Sequence, residues 1–146
     1  MSLYKHILLA VDFYEQEQQT RIKARQLAHL HQAQLSLVHV VENLPMTDVA
    51  YGPIPFDTDL SQEWLALSKR RLAELGKELG VPEERQFIEM GSAKFEIVRI
   101  AEEQGADLIV IGSHGRHGLA LLLGSTANGV LHHATCDVLA VRLQDD

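Results

Sequence analysis

Short runs of consecutive apolar residues recur along the chain and alternate with longer stretches in which apolar residues repeat every three or four positions. The runs are too short for helices and are typical of strands that are buried on both faces of a sheet. We therefore predict buried strands at five places, residues 5–12, 34–41, 86–90, 107–112 and 137–143.

The stretches between these strands follow the period of amphipathic helices. The predicted core-facing residues are Ala24, Leu27, Ala28 and His31, widened by Ile22 and Leu30, in the first helix (17–31); Leu65, Leu72, Leu75 and Leu79 in the second; Ile97, Val98 and Ala101 in the third; and Ala127, Val130, Leu131 and Ala134 in the last. Asp59 or Ser61 is expected to cap the second helix, and Gly80 and Gly105 to end the second and third. Residues 42–59 contain three prolines and predict a long surface loop.

The alternation of apolar strands with helices specifies a parallel sheet, because right-handed crossovers place a helix between consecutive strands. We predict one α/β domain over residues 1–146, with a doubly wound, Rossmann-like five-stranded parallel sheet of order 3-2-1-4-5 and helices on both faces. Such sheets bind ligands at the carboxyl ends of the strands where the winding reverses. Asp12 and Gly112 mark the ends of the first and fourth strands.

A glycine-rich loop, GSHGRHGLALLLGST at residues 112–126, follows the fourth strand. Gly112 and Gly115 allow the backbone to come close to a ligand, and residues 124–126 open a helix whose free N–H groups favour an anion. Further donors in the loop are His114, Arg116 and His117. The pattern indicates a phosphate site, but an alternative is that the glycines only form a turn and Ser125 only caps the helix.

Composition and charge exclude two classes of partner. Lysine and arginine number 13 against 20 acidic residues, and the net charge of −7 opposes attraction to nucleic acids. No apolar run approaches the roughly 20 residues that a membrane helix needs. Cys136 is the single cysteine and no signal-peptide pattern opens the chain, which predicts a cytoplasmic protein without disulfides.

Four segments spread over the chain carry a family resemblance: YKHILLAVD at 4–12, LVHV at 37–40, ADLIVIGSHGR at 106–116 and ATCDVLAVR at 134–142. Over essentially its whole length the chain resembles the universal stress proteins. Nucleotide-binding members of that family carry Gly-x2-Gly-x9-Gly-(Ser/Thr). Gly112, Gly115, Gly124 and Ser125 match it in order and type, although eight residues rather than nine separate Gly115 from Gly124.

The resemblance implies a site for ATP, with AMP or ADP as alternatives. The implied nucleotide-binding residues are Ala10, Val11, Asp12, Val40, Val41, Ile111, Gly112, His114, Gly115, Arg116, Gly124, Ser125 and Thr126. Asp12 would face the nucleoside, and Val40 or Val41 would border the adenine. Residues 111–112 would flank the base or ribose, and Gly115, Arg116 and residues 124–126 would hold the phosphates.

Metal binding is expected only together with the nucleotide. Mg²⁺ needs one or two carboxylates besides phosphate and water, which makes Asp12 the candidate ligand. A second interpretation is that the Asp12 carboxylate caps the turn after the strand. The eight histidines do not predict a transition-metal site, because His132 and His133 are adjacent on a helix and point about 100° apart.

The last predicted strand is largely apolar and would form a sheet edge, which favours a partner. The resemblance implies a homodimer in which Val138 to Leu143 pairs with its symmetry mate.

The function that the resemblance implies is that of a stress-response protein that binds ATP. No general base adjoins a placed nucleophile, so we expect at most slow hydrolysis and do not predict an enzyme. A dimeric interaction protein without nucleotide remains an alternative. An adenylating enzyme would carry a serine- and glycine-rich loop where this chain has DFYE at residues 12–15.

Overall fold

The computed structural model describes residues 3–13, 17–42, 58–113 and 124–142. The strands in this part of the chain are β1 (His6–Ala10), β2 (Gln34–Val41), β3 (Gln86–Met90), β4 (Leu108–Gly112) and β5 (Asp137–Val141). The α-helices are α1 (Gln18–His31), α2 (Thr58–Leu79), α3 (Ala93–Gln104) and α4 (Ser125–His133). A 3-10 turn at Glu83–Arg85 precedes β3.

The strands form one parallel sheet in the order β3-β2-β1-β4-β5, which confirms the predicted doubly wound arrangement. β1 is the central strand, with Leu9 opposite Leu37 of β2 and Val110 of β4. The winding direction reverses between β1 and β4. The carboxyl ends of these two strands therefore flank the crevice in which this architecture binds ligands.

The core has two layers, one on each face of the sheet. Helices α1 and α2 pack on the face that carries Leu9 and Leu37, and α3 and α4 pack on the face that carries Leu8 and Ile109. Successive strand residues point to opposite faces, so a strand that is covered on both sides has to be apolar throughout. This is why the strands are visible as continuous apolar runs.

The buried stripe of α1 is narrower than predicted. Ala24 and Ala28 are buried, but Ile22 and Leu30 expose 46% and 74% of their surface and do not widen the core-facing side. Leu131 of α4, also expected in the core, is exposed. The helical period identifies the direction of a buried face, but its width depends on how closely the neighbouring elements approach.

Helix ends agree with the sequence prediction better than helix starts. Gly80 and Gly105 follow α2 and α3 with φ of 73° and 70°, as expected for left-handed glycines that end helices. The predicted caps of α2 are wrong, because the helix begins at Thr58 and both Asp59 and Ser61 lie within it. Residues 43–57 of the predicted loop lie outside the described residues. None of the described helices has the length and apolar content to span a bilayer.

Strands at the sheet centre and edge are shorter than predicted: β1 ends at Ala10, β4 begins at Leu108 and β5 ends at Val141. Asp107, placed in β4 by the prediction, precedes the strand. Its carboxylate accepts hydrogen bonds from the backbone N–H groups of Lys5 and His6 at 2.9 and 3.1 Å. The residue therefore ties the start of β1 to the start of β4.

Close packing against α3 positions α4. A Cβ atom at Gly129 would lie only 2.6 and 2.8 Å from Cδ and Cβ of Lys94. A side chain at this position would push the two helices apart, since contacts this short do not occur between carbon atoms. Gly129 therefore allows α4 to lie close to α3, with its N-terminus beside β4.

Candidate functional site

Three strands contribute the floor of the crevice at the carboxyl edge of the sheet. Ala10, Val40 and Ile111 are buried and pack in the core beneath α3 and α4. Val41 and Gly112 are half-buried at the ends of β2 and β4. Ala10, Val40 and Ile111 thus lie on one face of the sheet near its carboxyl edge, whereas Val11, also predicted to bind the nucleotide, is buried on the opposite face.

Helix α4 begins directly beside the end of β4. The N–H of Gly124 donates to the carbonyl of Ser113 at 2.5 Å. Gly124 is the N-cap, and within the described chain no side chain caps the helix and no acidic residue lies in its first turn. Ser125 is the first helical residue, so the alternative that it caps the helix is wrong. Uncapped N–H groups and the helix dipole make this end suited to an anion.

A buried hydroxyl that the sequence analysis did not single out lies at the same junction. Oγ of Ser113 is buried and has no hydrogen-bond partner among the described residues. Its backbone is held from both sides, because its N–H donates to Val141 O at 2.8 Å and its carbonyl accepts from Gly124. An unpartnered buried hydroxyl is unfavourable by about 1–3 kcal/mol. The hydrogen-bonding capacity of this hydroxyl is therefore unused within the described residues.

The turn after β1 is held by a buried acid. The N–H of Asp12 donates to Oε1 of Glu17 at 2.6 Å, and Oε2 accepts from Nη2 and Nε of Arg21 at 2.9 and 3.2 Å. Burial raises the pKa of the Glu17 carboxyl, while the bonds from Asp12 and Arg21 oppose the rise. All of these partners are donors, which the ionised carboxylate satisfies. The sequence analysis missed this role, for which the only signal was the i,i+4 spacing of Glu17 and Arg21.

Phe13 turns the chain sharply after Asp12. Its φ of 59° lies in the left-handed region, which is unfavourable by roughly 1–2 kcal/mol for a residue with a Cβ atom. Its ring centroid lies 4.6 Å from that of His39 and 5.9 Å from the guanidinium carbon of Arg71. Nδ1 of His39 lies 2.6 Å from Val11 O and carries the proton, since a carbonyl only accepts. These contacts hold the backbone on both sides of Asp12, whose side chain is exposed.

Three of the predicted site residues, His114, Gly115 and Arg116, lie outside the described residues. In the described segments, no group of three or more metal-ligating side chains is present.

Cys136 packs partly buried under α3 and α4, and burial, with nearby Asp137, raises the pKa of its thiol. Such a thiol is a poor nucleophile, and the structure gives it a packing role.

The parallel doubly wound sheet, whose winding reverses between β1 and β4, defines a Rossmann-like α/β protein, a class in which ligands bind at the carboxyl edge of the strands. A family model described as the universal stress protein family matches residues 3–142, and the chain belongs to this family. It is 43% identical over 145 residues to Universal stress protein A homolog 2 of Coxiella burnetii, with 99% of each chain covered.

Solved structures agree with this assignment. The chain is similar to the hypothetical protein MJ0577, for which a biochemical function was assigned from its structure, with a TM-score of 0.82, 29% identity and 99% of each chain covered. A universal stress protein solved in complex with cAMP has a TM-score of 0.63 at 23% identity, over 96% of this chain and 98% of that one. At that identity the second likeness concerns the fold.

Proposed function

We propose that this protein is a cytoplasmic stress-response protein that binds an adenine nucleotide, with ATP as the preferred ligand, and acts as a regulatory homodimer. It senses or sequesters the nucleotide and hydrolyses it slowly at most. The proposal of binding rather than catalysis follows the sequence, in which no general base is placed next to a candidate nucleophile.

One observation carries the proposal: the N-terminus of α4 and the buried hydroxyl of Ser113 lie side by side at the switch point of the sheet, and among the described residues no side chain caps the helix or bonds the hydroxyl. A phosphate would accept from the backbone N–H groups of Ser125 and Thr126 and from the hydroxyl at once. Family membership adds the adenine preference, and the cAMP complex of a protein with this fold is consistent with an adenine nucleotide at such a sheet.

Asp12 would hold the nucleoside end and contact Mg²⁺ at the phosphates. Asp12 would be the one protein carboxylate on the ion, because the neighbouring Glu17 carboxylate already accepts hydrogen bonds from the Asp12 N–H and from Arg21. Mg²⁺ accepts such a site, since nucleotide phosphates and water supply its other ligands.

A second candidate function is a dimeric interaction protein that binds no nucleotide. The observation that favours it is the loop between Gly115 and Gly124, which is one residue shorter than the family's nucleotide-binding pattern. Removal of one residue shifts the chain by up to about 3.5 Å, which is enough to move a backbone donor out of hydrogen-bond reach.

Calorimetric titration distinguishes the two functions. We expect one ATP to bind per protomer, more tightly than AMP because the additional phosphates reach α4, and GTP to bind more weakly than ATP. Saturation with Mg-ATP should also raise the melting temperature, since a ligand at about 100 times its Kd stabilises the native state by about 2.7 kcal/mol. Neither heat nor a melting shift at millimolar Mg-ATP would reject the nucleotide proposal and favour the second candidate.

A charge on the edge strand tests the proposed dimer, which pairs Val138–Leu143 with its mate. β5 is an edge of the described sheet, and Leu139 is 36% exposed on it. Leu139→Lys should give monomers in sedimentation velocity, because pairing would bring two buried lysines together. Val141 is unsuitable for this test, since it is buried in the protomer core. The control is Leu30→Lys, at an exposed position of α1. Monomers of the Leu30→Lys variant, or unchanged dimers of the Leu139→Lys variant, would contradict this interface.

A further inference from the structure

Glu17 is a buried charge that the proposed nucleotide contacts do not include. Only 3% of its surface is exposed. Burying a carboxylate is strongly unfavourable unless its oxygens are hydrogen-bonded, and here Asp12 N–H satisfies one oxygen while Arg21 satisfies the other. The carboxylate is thus an integral part of the turn between β1 and α1.

This turn is where many doubly wound proteins bind phosphate, because backbone N–H groups and a helix N-terminus converge after the first strand. In this chain an internal anion occupies the position. Glu17 is the N-cap of α1, and its carboxylate accepts the N–H of Asp12 at 2.6 Å. A phosphate at the same place would find that donor occupied and would face a buried negative charge.

The N-terminus of α4 differs from that of α1 at the N-cap, which is Gly124 in α4 and the buried Glu17 in α1; neither helix has an acid in its first turn. The Ser113 hydroxyl beside α4 has no partner in the part of the chain that the structure describes. The two helix N-termini at the carboxyl edge therefore differ in local charge. An asymmetric ligand with one anionic end can enter this crevice favourably in one orientation only.

We propose that Glu17 is a positioning residue that sets the orientation of the nucleotide, an inference that rests on the proposed nucleotide site. Its carboxylate fixes the backbone of Asp12 at the nucleoside end and directs the phosphates to α4. Arg21 holds the carboxylate in place. The strained Phe13, packed on His39, keeps the preceding residue, Asp12, from relaxing away.

The test compares three substitutions of Glu17 in titrations with adenosine, AMP and ATP. Glu17→Ala removes the hydrogen bond to Asp12, and Glu17→Asp keeps the charge but is one methylene too short to reach. Both should weaken all three ligands by the same factor, about tenfold, because the lost contact positions the nucleoside that they share. Glu17→Gln keeps one acceptor oxygen for the Asp12 N–H, although its amide nitrogen cannot accept from Arg21, and should lose clearly less affinity than Glu17→Ala.

Each result has one meaning. If the natural protein binds none of the three ligands, the proposed function fails and this inference fails with it. If it binds them, and Glu17→Ala and Glu17→Asp bind adenosine equally well while circular dichroism shows them folded, the positioning role is wrong and the proposed function stands. Equal losses for Glu17→Gln and Glu17→Ala would also overturn positioning through the hydrogen bond. If Glu17→Ala does not fold, the affinities of Glu17→Asp and Glu17→Gln are compared instead, and equal losses in these two variants would overturn the positioning role.

Discussion

Replacing Leu37 by alanine should lower the free energy of unfolding by about 3 kcal/mol. Leu37 lies in β2 beside the central strand, has 0% of its surface exposed and packs in the core beneath α1 and α2. Truncation removes buried apolar surface and leaves a cavity that the sheet cannot close, because β2 is paired on both sides with β1 and β3. Denaturant unfolding followed by circular dichroism measures the loss.

The matched control is Leu30→Ala. Leu30 lies on the helical face that the apolar period placed toward the core, yet it is 74% exposed. The same substitution should therefore change the free energy of unfolding by no more than about 0.5 kcal/mol. A loss at Leu30 comparable with that at Leu37 would contradict the observed packing of α1 and restore the sequence-based prediction.

Ser113→Ala should change stability and binding in opposite directions. The variant removes a buried hydroxyl that lacks a partner among the described residues, so the ligand-free protein should gain up to about 1 kcal/mol. If the hydroxyl donates to a phosphate, ATP affinity should fall by about tenfold or more, because hydrogen bonds to charged groups are the stronger ones. Thermal unfolding and calorimetric titration on the same sample measure both quantities.

Thr20→Val is the control for this prediction. Thr20 in α1 also has a buried hydroxyl with no partner in the described segments, and valine has nearly the same shape. The variant should gain stability in the same way, but its affinity for ATP should not change. Unchanged ATP binding by Ser113→Ala, or lower stability of its ligand-free form, would show that the Ser113 hydroxyl does not serve a ligand.

The sequence predicted the sheet well because its signal is local. In the central strand β1, the four residues from Ile7 to Ala10 are all buried on one face or the other, so burial leaves a continuous apolar run. The glycines after α2 and α3 are equally local signals, since a left-handed residue is needed at a helix end and glycine adopts that conformation without strain. α1 ends at His31, and the left-handed residue after it is Gln32, with φ of 53°, so no glycine in the sequence indicates this helix end.

The candidate site was located by the same kind of reasoning, through strand ends and a glycine-rich loop. Its chemistry was predicted less completely. Glu17 was visible only as the start of a helix, and Ser113 only as a residue between two glycines. Both become informative when burial and hydrogen-bond partners are known, because a polar group matters at a site according to whether its bonding capacity is already satisfied.

The amino-acid sequence by itself determined the element types and the parallel doubly wound class, since these depend on local periodicity and on turn-forming residues, and it led us to expect a ligand at the carboxyl edge of the sheet. Only the tertiary structure decided which face of α1 is buried, that the buried Glu17 carboxylate accepts the N–H of Asp12, and that a hydroxyl beside α4 has no partner among the described residues. These features depend on contacts between segments that are distant in sequence or brought together by a turn, and a local pattern does not encode them.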